Sequence, residues 1–262
     1  MIKVNNLSKN FGLVEAVKNI TFDVKRSEIF AFLGPNGAGK TTTINILCTL
    51  MMPSAGTAIV NGFNVVDSPN EVRKSIGIIF QDPSLDERLT AYENLNFHGM
   101  IYHLPPGLRK IRIIEVLEMV GLSAKKDHIV RTFSGGMKRR LEIARGLMHN
   151  PKIIFLDEPT TGLDPQTRKH IWDYIVGLSH NQGITIFLTT HYMEEAEISS
   201  RVGIIDHGTI IDLDTPQALK SKYGVSSLNE VFLRSTGRDI REEEADEKEQ
   251  LGQFVRTHKK LR

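Results

Sequence analysis

The chain has 262 residues, 40% of them hydrophobic and 24% charged, with a net charge of +2. That composition suits a globular chain of one large domain or two small ones, and the near-neutral balance leaves no strong electrostatic footprint for nucleic acid. A single cysteine, Cys48, excludes an internal disulfide and fits a reducing compartment. The start, Met1-Ile2-Lys3-Val4-Asn5-Asn6, has no apolar signal core. No apolar run approaches the ~18 residues of a membrane span, so any membrane role is expected to go through a partner.

Residues 2–33 read as short strands and turns. Ile2-Lys3-Val4, Ala16-Val17-Lys18-Asn19-Ile20 and Thr21-Phe22-Asp23-Val24 are alternating or β-rich, and Asn10-Phe11-Gly12 predicts a turn carrying an aromatic. The apolar run Glu28-Ile29-Phe30-Ala31-Phe32-Leu33 leads into Gly34-Pro35-Asn36-Gly37-Ala38-Gly39-Lys40-Thr41-Thr42, and Thr42 to Leu47 has helical spacing. This fits G-x-x-x-x-G-K-[ST] in the strand–loop–helix setting that makes the pattern a phosphate site. Glycines let the backbone wrap a polyphosphate, and the helix start presents unpaired N–H groups and a positive dipole end. Lys40 is expected to reach the β- and γ-phosphates, and the Thr41 hydroxyl to ligate Mg²⁺. Cys48, four residues after Ile44 on the same helix face, reads as a small core residue.

Pro53-Ser54-Ala55-Gly56 breaks the chain, Thr57 to Val60 is a strand entering a tight turn at Asn61-Gly62, and the strand Ile76 to Phe80 ends at Gln81. Residues 82–150 read as a helical insert, with Tyr92 to Leu95 and Ile111 to Val120 at helical spacing and a break at Pro105-Pro106-Gly107. A strong helix is predicted from Met137 to Met148 and stops at Pro151. Lys152 to Leu156 and Ile184 to Leu188 are buried-type strands, and the helix between them opens on a cap at Asp164 with Pro165 first. Val202 to Ile205 and Thr209 to Ile211 predict a hairpin around Asp206-His207-Gly208. Strand, helix, strand around a phosphate loop implies a mostly parallel sheet with right-handed crossovers. Residues 216–235 are a short amphipathic appendage, and the charge block Arg241 to Gln250 is expected to be solvated and partly disordered.

Two further stretches carry chemistry. Ile153-Ile154-Phe155-Leu156-Asp157-Glu158 is an apolar strand ending in two acids, which buried strands seldom do unless a cation or water waits there. Neighbouring side chains on a strand point differently, so Asp157 is assigned to the metal and Glu158 to the base that takes a proton from the attacking water. Phe133-Ser134-Gly135-Gly136-Met137 offers a capping serine and two glycines at a helix start. It reads either as a plain capped helix or as a second anion site serving a nucleotide held by another copy of the chain.

Taken together these stretches resemble the ATP-binding subunit of ABC transporters over nearly the whole chain. The motifs match in order: Walker A (Gly34 to Thr42), the Q-loop (Gln81), the signature (Ser134-Gly135-Gly136), Walker B (Ile153 to Asp157, then Glu158), the D-loop (Gly162-Leu163-Asp164) and the switch histidine (His191). The resemblance implies an α/β P-loop fold with a mostly parallel core sheet, an N-terminal antiparallel β-subdomain and the helical insert. It implies an ATPase domain over residues 1–215 and an extension over 216–262, charged from about 238. ATP and Mg²⁺ are the implied cofactors. Lys40, Gln81, Glu158 and His191 would form the catalytic set, and Thr41, Gln81 and Asp157 would surround Mg²⁺. Phe11, the loop Gly34 to Thr42, Ser134, Gly135, Gly136 and Asp164 would contact nucleotide. His191 would hydrogen-bond the γ-phosphate, and Gln81 would report it to the part touching a membrane subunit. The implied assembly is a head-to-tail homodimer with two ATPs between Walker A of one copy and the signature of the other.

Two departures stand out. Phe133 and Met137 replace the usual outer Leu and Gln of the signature, and Phe11 stands where the adenine-stacking aromatic is often Tyr. Phe keeps the π-face, and Ser134 with its glycines keeps the phosphate-facing part. The run Phe133 to Arg145, with Leu89 to Leu95 and Leu228 to Leu233, is similar to the daunorubicin-resistance type of exporter ATPases. That likeness implies export of a drug, lipid, glycan or ion through a separate multi-span permease, at the cytoplasmic face of the membrane. The alternative is a soluble ATPase of the same fold acting in translation or DNA repair, members that usually carry two cassettes or a long coiled coil.

Overall fold

The computed structural model describes residues 1–80 and 84–237, so the expectations for Gln81 and for the charged block from 238 lie outside the described residues. β1 (Ile2–Phe11) and β2 (Val14–Val24) form one long hairpin, and β4 (Ala55–Val60) and β5 (Phe63–Asn64) extend it to an antiparallel sheet of order β2-β1-β4-β5. The two strand segments expected within 16–24 are therefore a single strand. Asn6 and Asn19 hold positive φ at 51° and 52°, and the pairing shifts register between Val4 and Leu7, which breaks the alternation a sequence reading follows. Phe11 is the last residue of β1, paired with Val14; the turn itself is Gly12-Leu13.

The second sheet contains β3 (Ile29–Leu33), β6 (Ile76–Ile79), β7 (Ile153–Asp157), β8 (Thr185–Thr190), β9 (Arg201–Asp206) and β10 (Thr209–Asp214). Its order is β10-β9-β3-β8-β7-β6, parallel except for the β9–β10 hairpin. The connections are α1 (Lys40–Leu47) after β3, α2 (Pro69–Ser75) before β6, α6 (Pro165–Gln182) between β7 and β8, and α7 (Met193–Glu197) between β8 and β9. The helical insert joins β6 to β7 as α3 (Ala91–Ile101), α4 (Pro106–Met119) and α5 (Gly135–Leu147). Thr90 and Glu93 close a capping box at the start of α3, and α5, capped by Ser134, starts at Gly135, two residues earlier than spacing alone predicted. The chain then adds α8 (Pro216–Tyr223) and α9 (Leu228–Thr236), whose Leu219, Leu228, Val231 and Phe232 join the main core.

Every residue of β3, β7 and β8 is buried, because helices or the other sheet cover both faces. Their side chains part by period two. Ile29, Ala31, Leu33, Ile154, Leu156, Ile186 and Leu188 face one core, with the insert and α6; Phe30, Phe32, Ile153, Phe155 and Phe187 face the other, with α1 and the antiparallel sheet. Phe22 of β2 reaches across and stacks on Phe30 at 5.5 Å, and Phe30 on Phe187 at 5.4 Å, so aromatic rings join the two sheets.

Where the insert meets the core, His149 stacks on Tyr102 at 3.8 Å and contacts Ile76 O through Nε2 at 2.8 Å; His98 lies 6.1 Å from His149. Burial holds His149 down to about 4, with Arg112 adding to it, and His98 down to about 3, with Arg145 adding to it. Both rings are neutral in the folded chain at pH 6, whereas an unfolded histidine protonates near 6.5. Stability is therefore fully present above pH 6.5 and falls as pH drops toward about 4. Urea unfolding midpoints measured between pH 7 and pH 4 should fall steadily, and His149→Phe, which keeps the stack but cannot titrate, should give a shallower slope.

Candidate functional site

The loop from Gly34 to Gly39 leaves the C-terminal end of β3, at the centre of the parallel sheet. A Cβ on Gly34 would meet Ile205 O at 2.3 Å, and one on Gly39 would meet Ala16 O at 2.5 Å. Gly39 also holds φ at +100°, so glycine is required there twice over. No side-chain hydrogen bond caps α1, in contrast to α5 and α6, capped by Ser134 and Asp164, and its first turn carries no acid. The start of α1 thus offers backbone N–H groups and a dipole end suited to an anion. Lys40 is buried, and its Nζ donates to Gly34 O at 2.8 Å and Pro35 O at 2.9 Å.

Asp157 follows Ile153 and Phe155 on the face of β7 that looks toward α1, and there it meets Thr41. Thr41 Oγ1 donates to Asp157 Oδ1 at 3.3 Å, and Thr189 Oγ1, next on the same face of β8 as Phe187, donates to it at 2.5 Å. This donor set of one carboxylate and one hydroxyl is hard oxygen. Among the described residues no cluster of three or more His, Cys, Asp or Glu has metal-holding geometry. A Mg²⁺ ion that keeps most of its shell as water and phosphate oxygen fits such a sparse set.

Glu158 departs from the strand. Its φ is +47°, the left-handed region, which for a residue other than glycine costs about 1–3 kcal/mol. Its N–H is held by Thr189 O at 3.1 Å and Thr189 Oγ1 at 3.2 Å. The turn aims the carboxylate between two groups: Oε1 lies 3.5 Å from Lys40 Nζ, and Oε2 lies 3.3 Å from His191 Nδ1. Burial alone would raise the Glu158 pKa, but the His191 contact and the Lys40 charge outweigh it and hold the carboxyl below its ordinary value. Lys40, Thr41, Asp157, Glu158 and His191 are therefore one contact network drawn from the loop, α1, β7 and the end of β8.

A second group forms elsewhere on the surface. Ser134 and Gly135 are exposed at the start of α5; Ser134 Oγ accepts from Met137 N at 3.3 Å. A Cβ on Gly136 would meet Thr167 Cγ2 at 2.5 Å, and Asp164 caps α6 by accepting from Thr167 N at 2.9 Å. Those Thr167 hydrogen bonds hold the exposed Asp164 carboxyl below its ordinary value. Ser134, Gly136 and Thr167 open onto a cavity of about 410 Å³ with Met137, Arg140 and Tyr174. Phe133 is buried and Met137 packs against the core, so both departures in this motif are apolar packing choices. Phe11 is half exposed at the tip of the β1–β2 hairpin, with Lys9 Nζ 5.2 Å from its ring, and Ala16 of that hairpin touches the loop near Gly39. Gln81 lies outside the described residues.

A family model described as ABC transporter matches residues 17–161. The chain belongs to the ABC transporter family. It is an ATP-binding, ATP-hydrolysing cassette of that family. It is 43% identical, over 89% of its length and 78% of the other protein, to the linearmycin resistance ATP-binding protein of Bacillus subtilis. It is 41% identical, over 93% of its length and 73% of the other protein, to a doxorubicin resistance ATP-binding protein of Mycobacterium tuberculosis. Among solved structures it is similar to a dimeric ATP-binding cassette in a post-hydrolysis state bound to ADP and Pi, with a TM-score of 0.74, 30% identity and coverage of 82% of this chain and 98% of that one.

The cassette also ties the end of β8 to α6 and to the turn after Glu158 by a residue that sequence reasoning missed. Glu195 on α7 is buried, and its carboxylate accepts from Trp172 Nε1 at 3.2 Å, from Thr190 Oγ1 at 2.5 Å and from the Thr160 hydroxyl. These donors come from α6, the end of β8 and the turn after Glu158. In the sequence Glu194 and Glu195 look alike, and the spacing of a five-residue helix is too short to separate them. Glu195→Ala would strand buried donors, each worth about 1–3 kcal/mol when left unmet. Calorimetry should record a melting midpoint lower by several degrees for Glu195→Ala, and substantial recovery in Glu195→Gln, which keeps one acceptor oxygen.

Proposed function

We propose that this cassette powers an exporter, hydrolysing ATP at a homodimer interface to drive a drug, lipid, glycan or ion through a separate multi-span permease. The reading is carried by one arrangement: a carboxylate, Glu158, held between Lys40 and His191 beside the Thr41–Asp157 pair. The loop amides and Lys40 bind and orient the β- and γ-phosphates of ATP. Thr41 and Asp157, with Gln81, would hold Mg²⁺, which neutralises charge on the phosphate oxygens. Glu158, kept ionised, accepts the proton of the attacking water. His191 orients that carboxylate and meets the γ-phosphate, and Phe11 stacks on adenine. Ser134, Gly135, Gly136 and Asp164 contact the nucleotide of the second copy.

The names of the relatives, linearmycin and doxorubicin resistance, favour a drug as cargo and weigh against a role in translation or repair. No helix among the described residues is long and apolar enough to cross a membrane, which agrees with spans supplied by a separate permease. The insert offers it a surface: Phe97, Met100 and Ile101 of α3 and Leu108, Ile111 and Ile114 of α4 are all exposed. Exposed apolar side chains on two neighbouring helices suit a protein partner. Docking there would place the cassette at the cytoplasmic face of the membrane.

Glu158→Gln should bind ATP and hydrolyse it roughly 10²–10⁴-fold more slowly, the usual worth of a general base. Gel filtration in MgATP should then show a dimer for Glu158→Gln and a monomer for Glu158→Gln/Ser134→Arg, each with ATP bound. Normal hydrolysis by Glu158→Gln overturns the base assignment, and a slow variant that stays monomeric in ATP overturns the shared site.

A further inference from the structure

α5 does more than present Ser134. Arg139, in its second turn, is buried, while its neighbours Lys138 and Arg140 are partly exposed. Its guanidinium reaches three backbone carbonyls from two separate stretches of chain. Nε donates to Pro159 O at 2.5 Å, Nη1 to Phe80 O at 2.5 Å, and Nη2 to Glu158 O at 3.4 Å. Nη1 also lies 3.3 Å from Glu142 Oε2, one turn further along and fully buried. The other oxygen of Glu142 accepts from Ser84 N at 2.6 Å and Ser84 Oγ at 3.2 Å, and Arg145 Nη1 donates to Ser84 O at 3.1 Å. Residues 139, 142 and 145 recur every third position, so one face of α5 grips Phe80, Ser84 and the turn that carries Glu158.

We infer that Arg139, paired with Glu142, is a positioning residue that fixes the Glu158–Pro159 turn against α5 and so sets where the Glu158 carboxylate stands. The inference rests on the reading of Glu158 as the base. A left-handed, non-glycine residue persists only where its surroundings over-determine it. Thr189 holds the N–H of Glu158, and Arg139 holds the carbonyls of Glu158 and Pro159, so the turn is clamped on both sides. A planar guanidinium serves several acceptors at fixed angles, which a lysine ammonium cannot do. A buried ion pair of purely structural worth behaves differently: apolar residues of similar size often replace it at no loss of stability. The two roles therefore separate in a variant that loses the pair but keeps the packing.

The experiment compares the full-length wild type with Arg139→Met/Glu142→Met, Arg139→Lys and Glu158→Gln. The measurements are kcat and KM for MgATP, ATP bound per subunit, and melting midpoint. The double variant should fold, bind one ATP per subunit with KM near wild type, and lose roughly 10–100-fold in kcat, the scale of a 1 Å misplacement. Arg139→Lys, which keeps the charge beside Glu142 but not the fork, should lose roughly tenfold on the same ground. A folded double variant with wild-type kcat overturns the inference, and so does a loss of bound ATP that matches the loss of kcat. Should the double variant fail to fold, Arg139→Lys decides alone, and a wild-type kcat there is fatal to the proposal. Slow Arg139 variants beside a Glu158→Gln protein of wild-type rate would instead overturn the base reading, so the two failures are distinguishable.

Discussion

A strand gives alternate residues to opposite faces of its sheet, and the central strands β3, β7 and β8 are buried on both faces. The candidate site inherits that constraint. Asp157 and Thr189 are the residues at which the phenylalanine faces of β7 and β8 run out into polar side chains, and both look toward α1. Thr190, one step on, belongs to the opposite face and is taken up by Glu195. The same period that packs Phe155 and Phe187 under the aromatic cluster thus brings the Asp157 carboxylate and the Thr189 hydroxyl to Thr41 at the start of α1. A one-residue slip of β7 would bury Asp157 against the insert and turn an apolar side chain toward Thr41.

The fold was legible where its signals are contiguous. The loop Gly34 to Thr42, the apolar runs of β3, β7 and β8, and the Asp164-Pro165 helix start are each written in neighbouring residues. The long hairpin was less so, because its asparagines bend the strands at Asn6 and Asn19 and break the alternation. At the site, strand alternation accounts for Asp157, but it understates Glu158, whose carboxylate is aimed by a left-handed turn.

Glu195 and Arg139 were illegible for one reason. Each is an ordinary charged residue among others, and what distinguishes it is a set of partners far away in the chain: Thr160 and Trp172 for the first, Phe80 and Pro159 for the second. Their burial follows from tertiary packing and has no local pattern. Both are costly to bury unless fully satisfied, and both are met by several partners.

The place of the helical insert bears on how such a chain can change over time. β6 and β7 are hydrogen-bonded neighbours, with Ile76 opposite Ile153, yet the whole insert is spliced between them. An excursion that leaves and returns to adjacent strands can lengthen, shorten or be rewritten without disturbing the sheet's register, since the entropy of closing it grows only slowly with length. The exposed faces of α3 and α4 are free to drift in this way, whereas α5 is tied to the turn at Glu158. Two helices of the insert can therefore be rewritten while the third keeps its hold on the turn at Glu158.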